Sequence, residues 1–185
     1  AGASLDKADV LLETLPADMA GVAAARARSA TYRSLVALHG DAARDEPRQL
    51  QDKAETLLDA ASPGARDERW FEAQRELRLA QLDLADTSGE RARIPGLVAR
   101  ARADRQAWPD GRAARFEARL DDAIHRYFRA LHVAEFANDG EGDFEQALAL
   151  HLEAEADFDA LLAERRDDPG VLYRAAWNLA DGFVA

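Results

Sequence analysis

Cysteine is missing from all 185 residues, which excludes disulfides, thiolate catalysis and Cys-ligated zinc or iron–sulfur centres. Lysine occurs only at positions 7 and 53, so arginine supplies nearly all the positive charge, a bias that fits a GC-rich bacterial coding sequence. Proline and glycine are sparse outside a few short breaks, and β-branched residues are few. Roughly a fifth of the chain is alanine, so local propensity favours helix throughout and leaves little room for strand. No apolar run approaches the roughly 20 residues that a membrane-spanning helix needs.

Positive charge is also in deficit: 24 Lys and Arg face 35 Asp and Glu, for a net charge of -11 and a pI near 4.8. A surface of that sign repels nucleic-acid backbones and anionic membranes, which excludes both as main partners. The chain opens Ala-Gly-Ala-Ser rather than Met, as a mature form does once a targeting segment is removed. Its compartment, cytoplasmic or periplasmic, stays open. At this length one compact domain over 1–185 is expected, with a core of its own.

Turn and cap chemistry punctuates the chain at Pro16, Gly40 to Pro47, Ser62-Pro63-Gly64, Ser88-Gly89, Pro109-Asp110-Gly111, Asn138 to Gly142, and Asp167-Asp168-Pro169-Gly170. Between these breaks lie about eight segments of helical length, paired as antiparallel αα-hairpins over roughly 4–39, 48–87, 90–137 and 143–184. Apolar residues recur at helical spacing within them. Leu50, Ala54, Leu57, Leu58 and Ala61 form one stripe; Trp70, Ala73, Leu77, Ala80 and Leu84 a second; Phe116, Leu120, Ala123, Tyr127, Leu131 and Ala134 a third. The last aligns Leu172, Ala175, Ala176, Leu179 and Phe183, with Pro169 in the first helical turn. The alanine-rich "AGVAAARARSA" permits close helix contact. "LLETLPADM", "LLDAASPGA", "LLAERRDDPG" and, more loosely, "LVARARADRQAWPDG" echo one another, each ending a helix and leading through proline into the next. The expectation is an all-α fold of stacked hairpins, as a superhelix or a compact bundle.

From about position 120 onward the chain resembles the tetratricopeptide repeat. "GDFEQAL", Gly142 to Leu148, sits on that family's turn into its second helix, with Gly142, Phe144 and Ala147 at signature positions and Ala154 at the later small one. Phe128, Leu131 and Glu135 take the corresponding places upstream, and "PGVLYRAAWNLA" resembles the start of a following first helix. The segment between Ala154 and Pro169 is about ten residues longer than that repeat's spacing. The resemblance implies a right-handed superhelix whose concave face binds a peptide, a protein segment or a small ligand. On that face it places Arg126, Arg129, Val133, Phe136, Tyr173 and Trp177. The family's lysine-dependent carboxylate clamp has no counterpart here, because no lysine stands at those positions.

Three sets of residues carry candidate chemistry. With Asp143 as cap, His151 and Glu155 fall one turn apart amid Phe144, Ala147, Leu148, Ala154, Phe158 and Leu162, spaced to hydrogen-bond as a buried polar pair. If the flanking helices form a hairpin, His132 lies level with His151, and His132, His151 and Glu155 become candidate ligands for a divalent metal. Against this, His132 and His125 project with Phe136 and Phe128 away from the main apolar stripe, and no Glu-x-x-His occurs. The second set is Arg126, Arg129, Phe136, Tyr173 and Trp177, suited to stacking and bidentate hydrogen bonding. The third is Arg26 and Arg33, which share a face of the second helix, open to anion binding or simply solvated. Trp70 and Trp108 read as structural.

No Ser-His-Asp order, phosphate-cradling glycine loop or His-Glu-x-x-His occurs. The sequence therefore points to a non-catalytic, cofactor-free helical module that binds a protein segment or small ligand, in a scaffold or adaptor role. The alternative is a metal-binding or ligand-processing protein built on His132, His151 and Glu155. A subunit that self-associates through exposed aromatics is a third reading.

Overall fold

A computed structural model describes residues 2–16, 19, 21–40, 45–61, 64, 66–108, 115–136 and 142–182. Their ordered elements are helical: α1 (Gly2–Thr14), α2 (Val22–Leu38), α3 (Glu46–Asp59), α4 (Glu68–Thr87), α5 (Ile94–Gln106), α6 (Phe116–Phe136), α7 (Phe144–Glu164) and α8 (Pro169–Gly182), with a 3-10 turn at Arg91–Arg93. The fold is all-α, and no strand occurs among the described residues. None of the helices is long and apolar enough to cross a membrane. The contacts group the chain into two compact units, Ala1–Ser88 and Gly89–Ala185.

In the first unit α2 is the shared wall, packing on α1, α3 and α4. Its alanines make this possible: Ala24, Ala27 and Ala30 are buried, and with so little side chain between them the helix axes can approach closely. Pairs along their length show α1 and α2 to be antiparallel: Arg33 Nε donates to Asp9 Oδ2 at 2.7 Å, and Arg26 Nη2 to the Leu12 carbonyl at 2.8 Å. The second expected stripe lies wholly in the core, with Trp70, Ala73, Leu77, Ala80 and Leu84 all buried. Trp70 also gives its indole N–H to the Leu58 carbonyl of α3 at 3.0 Å, which satisfies the one polar atom of that ring. Gln51 reaches from α3 to the Ala80 carbonyl of α4 at 2.9 Å, so a buried amide joins the two helices.

In the second unit α6 is central and touches α5, α7, α8 and the 3-10 turn. Phe116, Leu120, Ala123, Tyr127 and Leu131 are buried as the periodicity requires. His125 and Phe128, expected on an outlying flank, are buried too. The cause is that α6 is covered on several sides, so its buried arc is wider than one stripe. Asp143 caps α7 by accepting from the Gln146 amide at 2.9 Å. Its own amide donates to the Val133 carbonyl at 3.1 Å. Gly142 makes this junction possible: a Cβ there would stand 1.6 Å from the Ala134 carbonyl oxygen, a separation that no side chain can occupy.

Candidate functional site

His151 is 3% exposed on the face of α7 that also buries Ala147, Ala154, Phe158 and Leu161. Its hydrogen-bond partner is Asn178 of α8, not the expected Glu155. His151 Nδ1 lies 2.9 Å from Asn178 Oδ1, while Asn178 Nδ2 donates to the His151 carbonyl at 3.0 Å. The second bond fixes the amide orientation, so Oδ1 must accept and Nδ1 must carry a proton. Glu155 is only half-buried. Spacing along one helix brings it near the imidazole, but a neighbouring helix offers an amide that both accepts and donates, and a neutral partner carries a smaller burial cost than a carboxylate. The end of α8 closes over the ring, since a Cβ on Gly182 would meet His151 Cβ and Cγ at 3.4 Å.

A third helix joins this pair. Tyr127 of α6 has its ring 6.0 Å from that of His151, and its hydroxyl donates to Asp181 Oδ2 at 2.6 Å. His151, Asn178, Tyr127 and Asp181 thus tie α6, α7 and α8 together. Asn178 and Asp181 escaped the sequence reading, and Tyr127 entered it only as part of an apolar stripe. The signal for Asn178 was one amide set seven residues after Val171, on the buried face of a helix otherwise read as apolar.

His132 points elsewhere. Its Nδ1 is 3.1 Å from the Arg91 carbonyl, and its ring stacks on Phe136 with centroids 5.3 Å apart. The expected trio of His132, His151 and Glu155 is not assembled, and no group of three or more His, Asp or Glu able to hold a metal occurs among the described residues. The i, i+19 relation placed the histidines level along the hairpin but left open the sides of α6 and α7 from which they project.

The five residues of the expected groove are also divided. Arg126 is an ion-pair partner of α7, with Nε 3.3 Å from Glu153 Oε2 and Nη1 bonded to Asp157. Arg129 is exposed on α6, and Phe136 is held by His132. Tyr173 and Trp177 lie together on α8, 54% and 48% exposed, in an edge contact with centroids 6.3 Å apart. Arg174, absent from the expected set, stands between this pair and the core, its guanidinium 5.5 Å from the Tyr173 ring and 5.7 Å from Phe128. It can orient Tyr173 by cation–π attraction.

The stripes expected on α7 and α8 are rotated from those that pack. On α8 the buried residues are Val171 and Asn178, while Leu172 and Leu179 are exposed; Phe183 lies outside the described residues. On α7 Phe144, Leu148 and Leu152 are exposed, and Leu161 rather than Leu162 is in the core. Four leucines, a phenylalanine and the aromatic pair on solvent-facing helix surfaces are the second unit's most prominent apolar features. No protein-family model, no curated protein and no solved structure matches this chain.

Proposed function

We propose that the chain is a non-catalytic helical-repeat module that binds a protein segment, or a small ligand, on the exposed surface of its second unit. The observation that carries this reading is the Tyr173–Trp177 pair, two large aromatic side chains left half in solvent on one helix. Such residues dominate binding energy where a partner buries them, because they bring large area at low cost in rotamer entropy. The tetratricopeptide-like reading has support in Gly142, whose missing Cβ lets α7 start against the α6 backbone. Arg129, Phe136 and Arg126 contribute less than the sequence implied, since Arg126 is already paired within the unit and Phe136 is stacked.

The test is selection of peptides from a displayed library on the purified chain, followed by titration against Tyr173→Ala/Trp177→Ala. Selected peptides should lose at least about tenfold in affinity, as expected when two anchors are truncated, while far-UV circular dichroism is unchanged. Equal binding to the double variant would remove α8 from the proposed surface.

A further inference from the structure

The first unit holds a cavity of about 270 Å3 between α1, α2 and α3. Its composition is two-sided. Leu12, Ala30, Leu50 and Leu57 supply apolar wall, and the cations Arg26, Arg33 and Lys53 all come from α2 and α3. Lysine is so rare in this chain that its presence here is notable: the other one stands at position 7.

The charged groups divide into those already satisfied and those with capacity left. Asp9 accepts from Ser29 at 2.5 Å and from Arg33 Nε at 2.7 Å, and Arg33 Nη2 reaches Asp6 at 2.7 Å. That network is closed. Arg26 differs, because its hydrogen bonds go to neutral acceptors, the Leu12 and Leu15 carbonyls at 2.8 and 3.2 Å, and no carboxylate of a described residue is bonded to it. Lys53 acts on Asp9 through its charge but forms no hydrogen bond with any described residue. Glu13, exposed at the end of α1, is the cavity's remaining acidic group. Two cations therefore line a partly apolar hollow with no carboxylate of a described residue bonded to either, in a chain whose net charge is -11.

We propose that this cavity binds a small monocarboxylate with an apolar body, its carboxylate between Arg26 and Lys53 and its hydrocarbon against Leu12, Leu50 and Leu57. The volume lies just under the roughly 300 Å3 at which ligand pockets begin, which favours a short acid over a polymer end. Charge-assisted hydrogen bonds to the carboxylate would give both cations an anionic partner.

The experiment is a titration of the isotope-labelled full chain with hexanoate, followed by amide chemical shifts, with 1-hexanol and inorganic phosphate as controls. Saturable shifts should cluster at residues 9–13, 26–33 and 50–57, and neither control should match hexanoate. Lys53→Met keeps the apolar stem at an exposed position and should weaken hexanoate about tenfold, the loss of one charge-assisted bond. Lys7→Met should leave binding unchanged. Absence of saturation, shifts elsewhere, equal affinity for 1-hexanol, a preference for phosphate, or unaltered binding in a folded Lys53→Met chain would each overturn the proposal.

Discussion

The imidazole of His151 makes plain how a buried polar residue acts in this chain. Removed from water, it would cost free energy if left unpaired, yet it gains two reciprocal bonds with the Asn178 amide and so fixes α8 against α7. Gln51 does the same between α3 and α4, and the Trp70 indole between the same two helices. Replacing Asn178 by Ala would leave the buried His151 Nδ1–H without its partner. The expected loss is about 1–3 kcal/mol of stability, the desolvation cost of an unmet buried group, read from the urea midpoint at unchanged slope. Glu155→Gln should change that midpoint by less than about 0.5 kcal/mol, as a substitution away from the buried pair does. The reverse order of these two effects would restore the carboxylate as the imidazole's partner.

At the level of helices, the number, order and boundaries were legible because turn residues and caps mark them: Asp67, Asp143 and Asp168 each accept from amides at the start of a helix. Faces were legible where a helix is surrounded. Every position of the Trp70 to Leu84 stripe is buried, and all but the last of the Phe116 to Ala134 stripe. On α7 and α8 apolar residues recur on more than one side, so periodicity alone does not select which side packs. The packed side is set by small or polar residues that permit close approach and pairing: Ala147, Ala154, His151, Asn178 and Gly182. The candidate site suffered from the same ambiguity, since a residue's side of the helix decides whether it meets a partner. A pair of substitutions on α7 tests the observed rotation. Leu161, 2% exposed, should cost about 2–5 kcal/mol when changed to Ala. Leu152, 56% exposed, should change stability by less than about 0.5 kcal/mol when changed to Ser. Denaturation of both variants checks the difference, and comparable losses would mean that the outer flank of α7 is covered in solution.

Over the whole molecule, excess negative charge coexists with arginines that bridge helices within each unit: Arg28 with Glu76, Arg33 with Asp9, Arg105 with Asp122, Arg119 with Glu164. Most such pairs are partly exposed and individually weak, but they make the fold's response to pH directional. Asp9 is the clearest case. Burial disfavours its charged form, yet the bonds from Ser29 and Arg33 and the positive charges of Arg33 and Lys53 outweigh that, holding its carboxyl below the ordinary value of 3.8. Its folded-state pKa is therefore depressed relative to the unfolded chain. The stability it contributes is fully present above 3.8 and is lost as pH falls through the lower folded value. Asp9→Asn should accordingly have a lower urea midpoint than the parent chain at pH 7. That gap should shrink as acid titrates the parent's carboxylate, because protonated aspartate resembles the amide in charge. Midpoints measured at pH 7, 5 and 3 give the check: the gap at 7 and 5 should be equal, since neither pH reaches the titration, and at 3 it should be smaller. A gap that persists undiminished at pH 3 would mean that Asp9 stabilises α1 against α2 through the shape of its hydrogen bonds rather than through its charge.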